Sequence, residues 1–136
     1  MDPGCPRFSA GKPSPRVHFR TVNRLGGVQI DREGDASPWI VGLTGEHDLA
    51  TVDTLRQELA KVGDSDPLVI DLSDTAFLDS SILGAIVEAH ARSIDTGAPF
   101  GLVVPDGSFA ARLVELAGLS ERLPVYRSRA EAVAAT

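Results

Sequence analysis

Cysteine occurs once in this chain, at Cys5, so an intramolecular disulfide is impossible and a zinc site built from cysteines is excluded. Long apolar runs are missing as well. None approaches the ~18 residues that a membrane span requires, and the start of the chain lacks the apolar stretch of a secretory signal. A cytoplasmic protein without a membrane span is the expectation. Both common phosphate-binding glycine loops are absent, because no G-x-x-x-x-G-K-[ST] exists and the Gly26–Gly27 pair precedes a strand rather than a helix. No cofactor is expected. Basic charge is scarce, and a formal net charge of −6 argues against nucleic acid as a partner, since phosphates call for a basic face. The scarcity is uneven. Residues 1–27 carry Arg7, Lys12, Arg16, Arg20 and Arg24 against Asp2 alone, a net +4 that leaves −10 on residues 28–136.

What is present fits one soluble domain: 136 residues, 43% apolar and 24% charged. Residues 1–27 contain Pro3, Pro6, Pro13 and Pro15 and no sustained apolar period, so they read as a flexible basic extension, with the domain over 28–136. Val17, Phe19 and Val22 add a short extended segment near the end of that extension.

Val28, Ile30 and Arg32 alternate with polar partners as an edge strand does, and "EGDASP" at 33–38 supplies turn chemistry. Trp39, Ile40, Val41 and Leu43 form a second strand closed by Gly45. From Thr51 the period changes to 3.6. Val52, Leu55, Leu59 and Val62 share one helical face, with Arg56, Glu58 and Lys61 away from it. "PLVIDL" at 67–72 reads as a central buried strand. A helix follows Asp79, striped by Leu83, Ile86, Val87 and His90 and stopped by Gly97. "FGLVV" at 100–104 is another buried strand, and a helix over 108–117 points Phe109, Leu113 and Leu116 inward. Leu123 and Val125 give a short strand, and residues 128–135 a last helix. The order β-β-α-β-α-β-α-β-α predicts an α/β fold: a mixed sheet of four to five strands packed with about four helices.

Two polar turns could carry chemistry. In "FLDSSILGA" at 77–85, Asp79, Ser80 and Ser81 open an apolar-striped helix, where unpaired N–H groups and the helix dipole favour negative charge. A serine there serves as a cap, as a nucleophile or as a phosphoryl acceptor. Capping alone explains the residue types. Nucleophilic catalysis needs a positioned base and usually a G-x-S-x-G elbow, and neither flanking glycine is present, so no enzyme activity is expected. His90 falls on the apolar stripe, at the edge of the core. Phosphorylation would add about −1.5 to −2 charges beside Asp79 on an already acidic domain. In "LTGEHDLAT" at 43–51, Glu46, His47 and Asp48 are consecutive and point in different directions, so no metal site is expected there. Thr51 or Asp48 caps the helix that follows.

"LTGEHDLAT", "VIDLSDTAFLDSSILGAIVEAH" and "LVELAGLSERLPVYRSRAEAV", in that order and spacing, resemble the STAS domain of bacterial anti-sigma factor antagonists over about residues 28–135. The resemblance implies a mixed sheet flanked by helices and a partner-switching role in transcription regulation. An unphosphorylated antagonist binds an anti-sigma factor that is also a serine kinase and so frees a sigma factor; phosphorylation ends the interaction and a phosphatase restores it. The family acceptor is the hydroxyl residue after the Asp of "DSS", here Ser80. Ser81 matches the second hydroxyl, Asp79 the preceding acid, Asp48 the acid of the family's "GELD"-like turn, and Gly84 the later glycine. Ile82 departs from the pattern, standing where the family has glycine. A β-branched residue does not readily adopt φ > 0 and leaves less room for a kinase active site. That departure favours an alternative, an STAS module that binds its partner without being phosphorylated, as an adaptor of a lipid transport or stress-signalling complex. His47 stands where the family has an apolar residue.

Overall fold

Stretches of period two become strands and stretches of period 3.6 become helices. In chain order they are β1 (Val17–Val22), β2 (Gly26–Arg32), β3 (Trp39–His47), α1 (Val52–Ala60), β4 (Leu68–Leu78), α2 (Ser80–Thr96), β5 (Phe100–Val103), α3 (Phe109–Leu116), a 3-10 turn (Leu119–Glu121), β6 (Val125–Tyr126) and α4 (Arg129–Ala135). The computed structural model describes residues 17–22, 26–32, 34, 37–63 and 65–136, so Cys5 and the rest of residues 1–16 lie outside the described residues.

Six strands form one mixed sheet in the order β1-β2-β3-β4-β5-β6. β1, β2 and β3 are antiparallel, while β3 to β6 are parallel. The expected mixed sheet with four helices is therefore present, and the extended segment read at Val17, Phe19 and Val22 adds its edge strand. Because the parallel strands follow one another in a single direction, right-handed crossovers must bring α1, α2 and α3 to the same face. There Val28, Ile30, Val41, Leu43, Ile70, Leu72 and Leu102 of the strands meet Leu55, Leu59, Ile82, Leu83 and Ile86 of the helices. The core is mostly aliphatic. With Ile70, Leu72, Ile82, Ile86 and Leu102 fully buried at about 1.5–3 kcal/mol each, it is the main stabilising term.

α4 follows the last strand and folds back over the other face, where Ala132 packs with Ile40, Val69 and Val103. Arg129 anchors it by donating from Nε and Nη2 to Asp71 Oδ2, each at 2.8 Å, and Asp71 itself is buried. The Ser73 N–H, at 2.9 Å, and the Ser73 hydroxyl satisfy the other Asp71 oxygen. Both limits of the described fold lie at the end of the sheet where the parallel strands begin. Val17 pairs with Arg32, and Thr136 sits where a Cβ on Gly101 would meet its Oγ1 at 3.2 Å.

Three expectations need correction. The inner face of α3 is Ala110 and Val114, with Leu113 half-buried, whereas Phe109 and Leu116 are exposed. Apolar residues line both sides of this short helix, and its small residues are the ones that fit against the sheet. Glu58 is buried rather than outward, its carboxylate held by Lys61 Nζ at 2.9 Å. β4 runs to Leu78, six residues beyond the apolar run, because it keeps pairing with β3 after its side chains turn polar.

Candidate functional site

β3 and β4 are parallel neighbours ending level with each other, His47 beside Leu78. Two chains that leave adjacent parallel strands at the same level must start their loops side by side, and so the two polar turns meet. Gly45 prepares this exit: it takes φ 79°, a left-handed conformation that suits glycine, where the β3–β4 register shifts.

The first turn is closed by its own side chains. Asp48 Oδ1 accepts from the Ala50 N–H at 2.9 Å, and the Thr51 Oγ1 accepts from the Asp48 N–H at 3.0 Å. Thr51 occupies the N-cap position of α1, yet its hydroxyl makes no cap bond to that helix. It faces back to the turn. Leu49, at the tip, exposes 74% of its surface.

The second turn opens α2. Asp79 is the N-cap, in extended backbone, and its Oδ1 accepts from the N–H groups of Ser81 at 3.0 Å and Ile82 at 3.3 Å. The Ser81 hydroxyl donates to the same oxygen. Partial burial pushes the Asp79 carboxyl upward. The Ser81 hydroxyl and the N–H groups of Ile82, Ser81 and Leu49 outweigh it and hold the carboxyl below its usual range. The two turns are neighbours because His47 and Leu78 end β3 and β4 in register.

Ser80 lies between these groups and is different. It is exposed at the first position of α2, and among the described residues nothing hydrogen-bonds its hydroxyl. Ile82 contributes its N–H to the turn, but its side chain is fully buried in the core beneath α2. α2 thus carries Ile82 inward, while Ser80 is exposed. Gly84 is one helical turn beyond Ser80, and a Cβ built on it would meet nothing within 4 Å. Asp48 reaches the site through its turn rather than through a contact to Ser80. Neither imidazole serves as a base there: the two ring nitrogens of His47 are hydrogen-bonded within the core, and His90 rests against Phe100, ring centroids 5.1 Å apart. Among the described residues no group of three His, Cys, Asp or Glu is placed to hold a metal, and no helix is long and apolar enough to cross a membrane.

The sequence reading missed an apolar element of the site. Phe77, one residue before the end of β4, packs against Phe109 with ring centroids 5.4 Å apart, and both rings are nearly half exposed. Spacing assigned Phe109 to the core, so only its outward turn reveals this pair.

Residues 29–132 match the family model of the STAS domain. Among solved structures, the fold is similar to an anti-sigma factor antagonist from Mycobacterium paratuberculosis, with 27% identity, 89% of this chain and 93% of that one covered, and a TM-score of 0.67. It is also similar in fold to the anti-sigma factor antagonist SpoIIAA in its unphosphorylated form, with 16% identity, 78% and 92% covered, and a TM-score of 0.62. The phosphorylated form of Bacillus SpoIIAA gives 17% identity, 79% and 96% covered, and a TM-score of 0.57. Strand order, the capped turn before α2 and a family match over most of the chain converge on one statement, that this chain belongs to the STAS domain family.

Proposed function

We propose that this chain is an anti-sigma factor antagonist switched by phosphorylation of Ser80. Unphosphorylated, it binds an anti-sigma factor that is also a serine kinase, and so releases a sigma factor in the cytoplasm. The kinase moves the γ-phosphoryl of ATP to Ser80 Oγ, the hydroxyl proton passes to the kinase and ADP departs. A phosphatase later hydrolyses the ester.

The observation that carries this reading is the contrast between the two serines: Ser80 is exposed and its hydroxyl unengaged, while the Ser81 hydroxyl is spent on Asp79. Only the first can enter another active site without dismantling the turn. A phosphate at the start of α2 faces the positive end of the helix dipole, so the fold tolerates it. A docked partner does not. It meets about two added negative charges next to Asp79, together with new bulk, over the Leu49 and Phe77–Phe109 apolar surface that docking would cover. Family membership supports the reading, as does the antagonist of similar fold known in both unphosphorylated and phosphorylated forms.

The test is incubation with ATP and each anti-sigma kinase of the source bacterium, followed by intact-mass measurement. A gain of about 80 Da on wild type, absent from Ser80→Ala, is expected. Ser80→Ala should bind the kinase like wild type and Ser80→Asp more weakly. Equal binding of the two variants would remove the switch.

A further inference from the structure

α3 is apolar on two sides. Ala110 and Val114 face the sheet, while Phe109, Leu113 and Leu116 follow one another at i, i+4 and i+7 along a second side. Leu113 is half-buried, Phe109 is nearly half exposed, and Leu116 exposes 75% of its surface. Phe77 of β4 widens this stripe, because its ring packs against that of Phe109. A single exposed leucine needs no explanation, whereas a contiguous apolar stripe marks a surface that another molecule covers.

The charges beside the stripe say which molecule. Arg112 and Glu115 are exposed along its outer edge, and among the described residues neither side chain makes a hydrogen bond or an ion pair. A partner of one charge would suit one of them and oppose the other. A second copy of α3, turned end for end, suits both. Two-fold symmetry asks for a face that complements itself, residue i meeting j and j meeting i. Reversal sets Phe109 of each copy level with Leu116 of the other, with the Leu113 side chains between them. It also keeps the charged edges together, so Glu115 of each copy comes within one helical turn of Arg112 of the other. We propose that this chain forms a weak two-fold dimer through antiparallel pairing of the outer face of α3. Phe77 lies two residues before Asp79, so the second copy covers ground beside the Ser80 turn. Competition between the dimer and a docked partner rests on the reading of Ser80 given above; the dimer itself does not.

Sedimentation equilibrium of the full-length chain, from about 10 μM to about 1 mM, is the test. The average mass should climb from that of one chain toward that of two. Leu116→Lys should weaken association about tenfold or more, whereas Ile94→Lys, at an exposed apolar site on α2, should leave it unchanged. Arg112→Glu and Glu115→Arg should each weaken it by gathering like charges on one edge. The double reversal Arg112→Glu/Glu115→Arg should restore it, which also excludes misfolding as the cause of the single losses. A one-chain mass at every concentration would overturn the proposal. So would a dimer indifferent to Leu116→Lys, one weakened equally by Ile94→Lys, or a double reversal that fails to rescue. Each of these leaves phosphorylation of Ser80 standing, and a chain that dimerises as described but accepts no phosphoryl group on Ser80 would leave the dimer standing.

Discussion

The Ser81 hydroxyl donates to the Asp79 carboxylate, while the hydroxyl of adjacent Ser80 is left to solvent. Two neighbouring residues of one chemistry thus carry different loads. Ser81→Ala should lower stability by about 1 kcal/mol through the lost hydrogen bond, whereas Ser80→Ala should stay within about 0.5 kcal/mol of wild type. Thermal melts of the two variants check this. The kinase assay should give the opposite order, with phosphorylation abolished only in Ser80→Ala.

Asp79 caps α2 with a carboxyl held below its usual range. A depressed folded-state pKa contributes stability that is present above the unfolded value of about 3.9 and lost as pH falls through the folded one. Asp79→Ala should therefore cost about 1 kcal/mol at neutral pH. The gap between variant and wild type should close as pH falls below the unfolded value and Asp79 is protonated. Urea unfolding at neutral and acid pH reads both limbs.

Ile82 is a core residue. Ile82→Val should cost about 1 kcal/mol, as deletion of a buried methylene does, and should leave the rate of phosphoryl transfer to Ser80 unchanged. A faster transfer in the smaller variant would mean that the side chain does crowd the acceptor.

Gly84 has open space where a Cβ would go. Gly84→Ala should raise stability by about 0.5–1 kcal/mol, since glycine is a poor helix former. If the partner of Ser80 lies over α2, the same methyl should weaken docking, so melting temperature and affinity should move in opposite directions.

Arg129 is the cation paired with buried Asp71 beneath α4. Its side chain is 42% exposed and Ser73 still serves Asp71, so Arg129→Ala should cost about 1–2 kcal/mol, less than a fully buried pair would. Hydrogen exchange should accelerate first in α4, with α2 still protected.

Periodicity located the strands and helices because most have one buried face, and it failed where that condition lapses. α3 carries large apolar residues on both sides, so spacing could not choose between Phe109 and Ala110. β4 loses its apolar cover past Leu72 but keeps its pairing with β3, a non-local interaction with no local signature. Asp79 was recognisable as a cap from its place before an apolar stripe. That the Leu49 turn would lie beside it follows from β3 and β4 being parallel and ending level, which emerges only once the sheet is assembled. For His47 the only signal was the apolar residue that the family has at this place; a polar residue between Glu46 and Asp48 otherwise reads as solvent-exposed until its three partners are seen.

Val17 and Thr136 both lie at the end of the sheet where the parallel strands begin, and the Leu49 and Ser80 turns lie where β3 and β4 finish. An affinity tag, a fluorescent reporter or a surface linker joined after Thr136 is thus attached on the side remote from Ser80. A chain tethered there presents its Leu49 and Ser80 face to a kinase in solution.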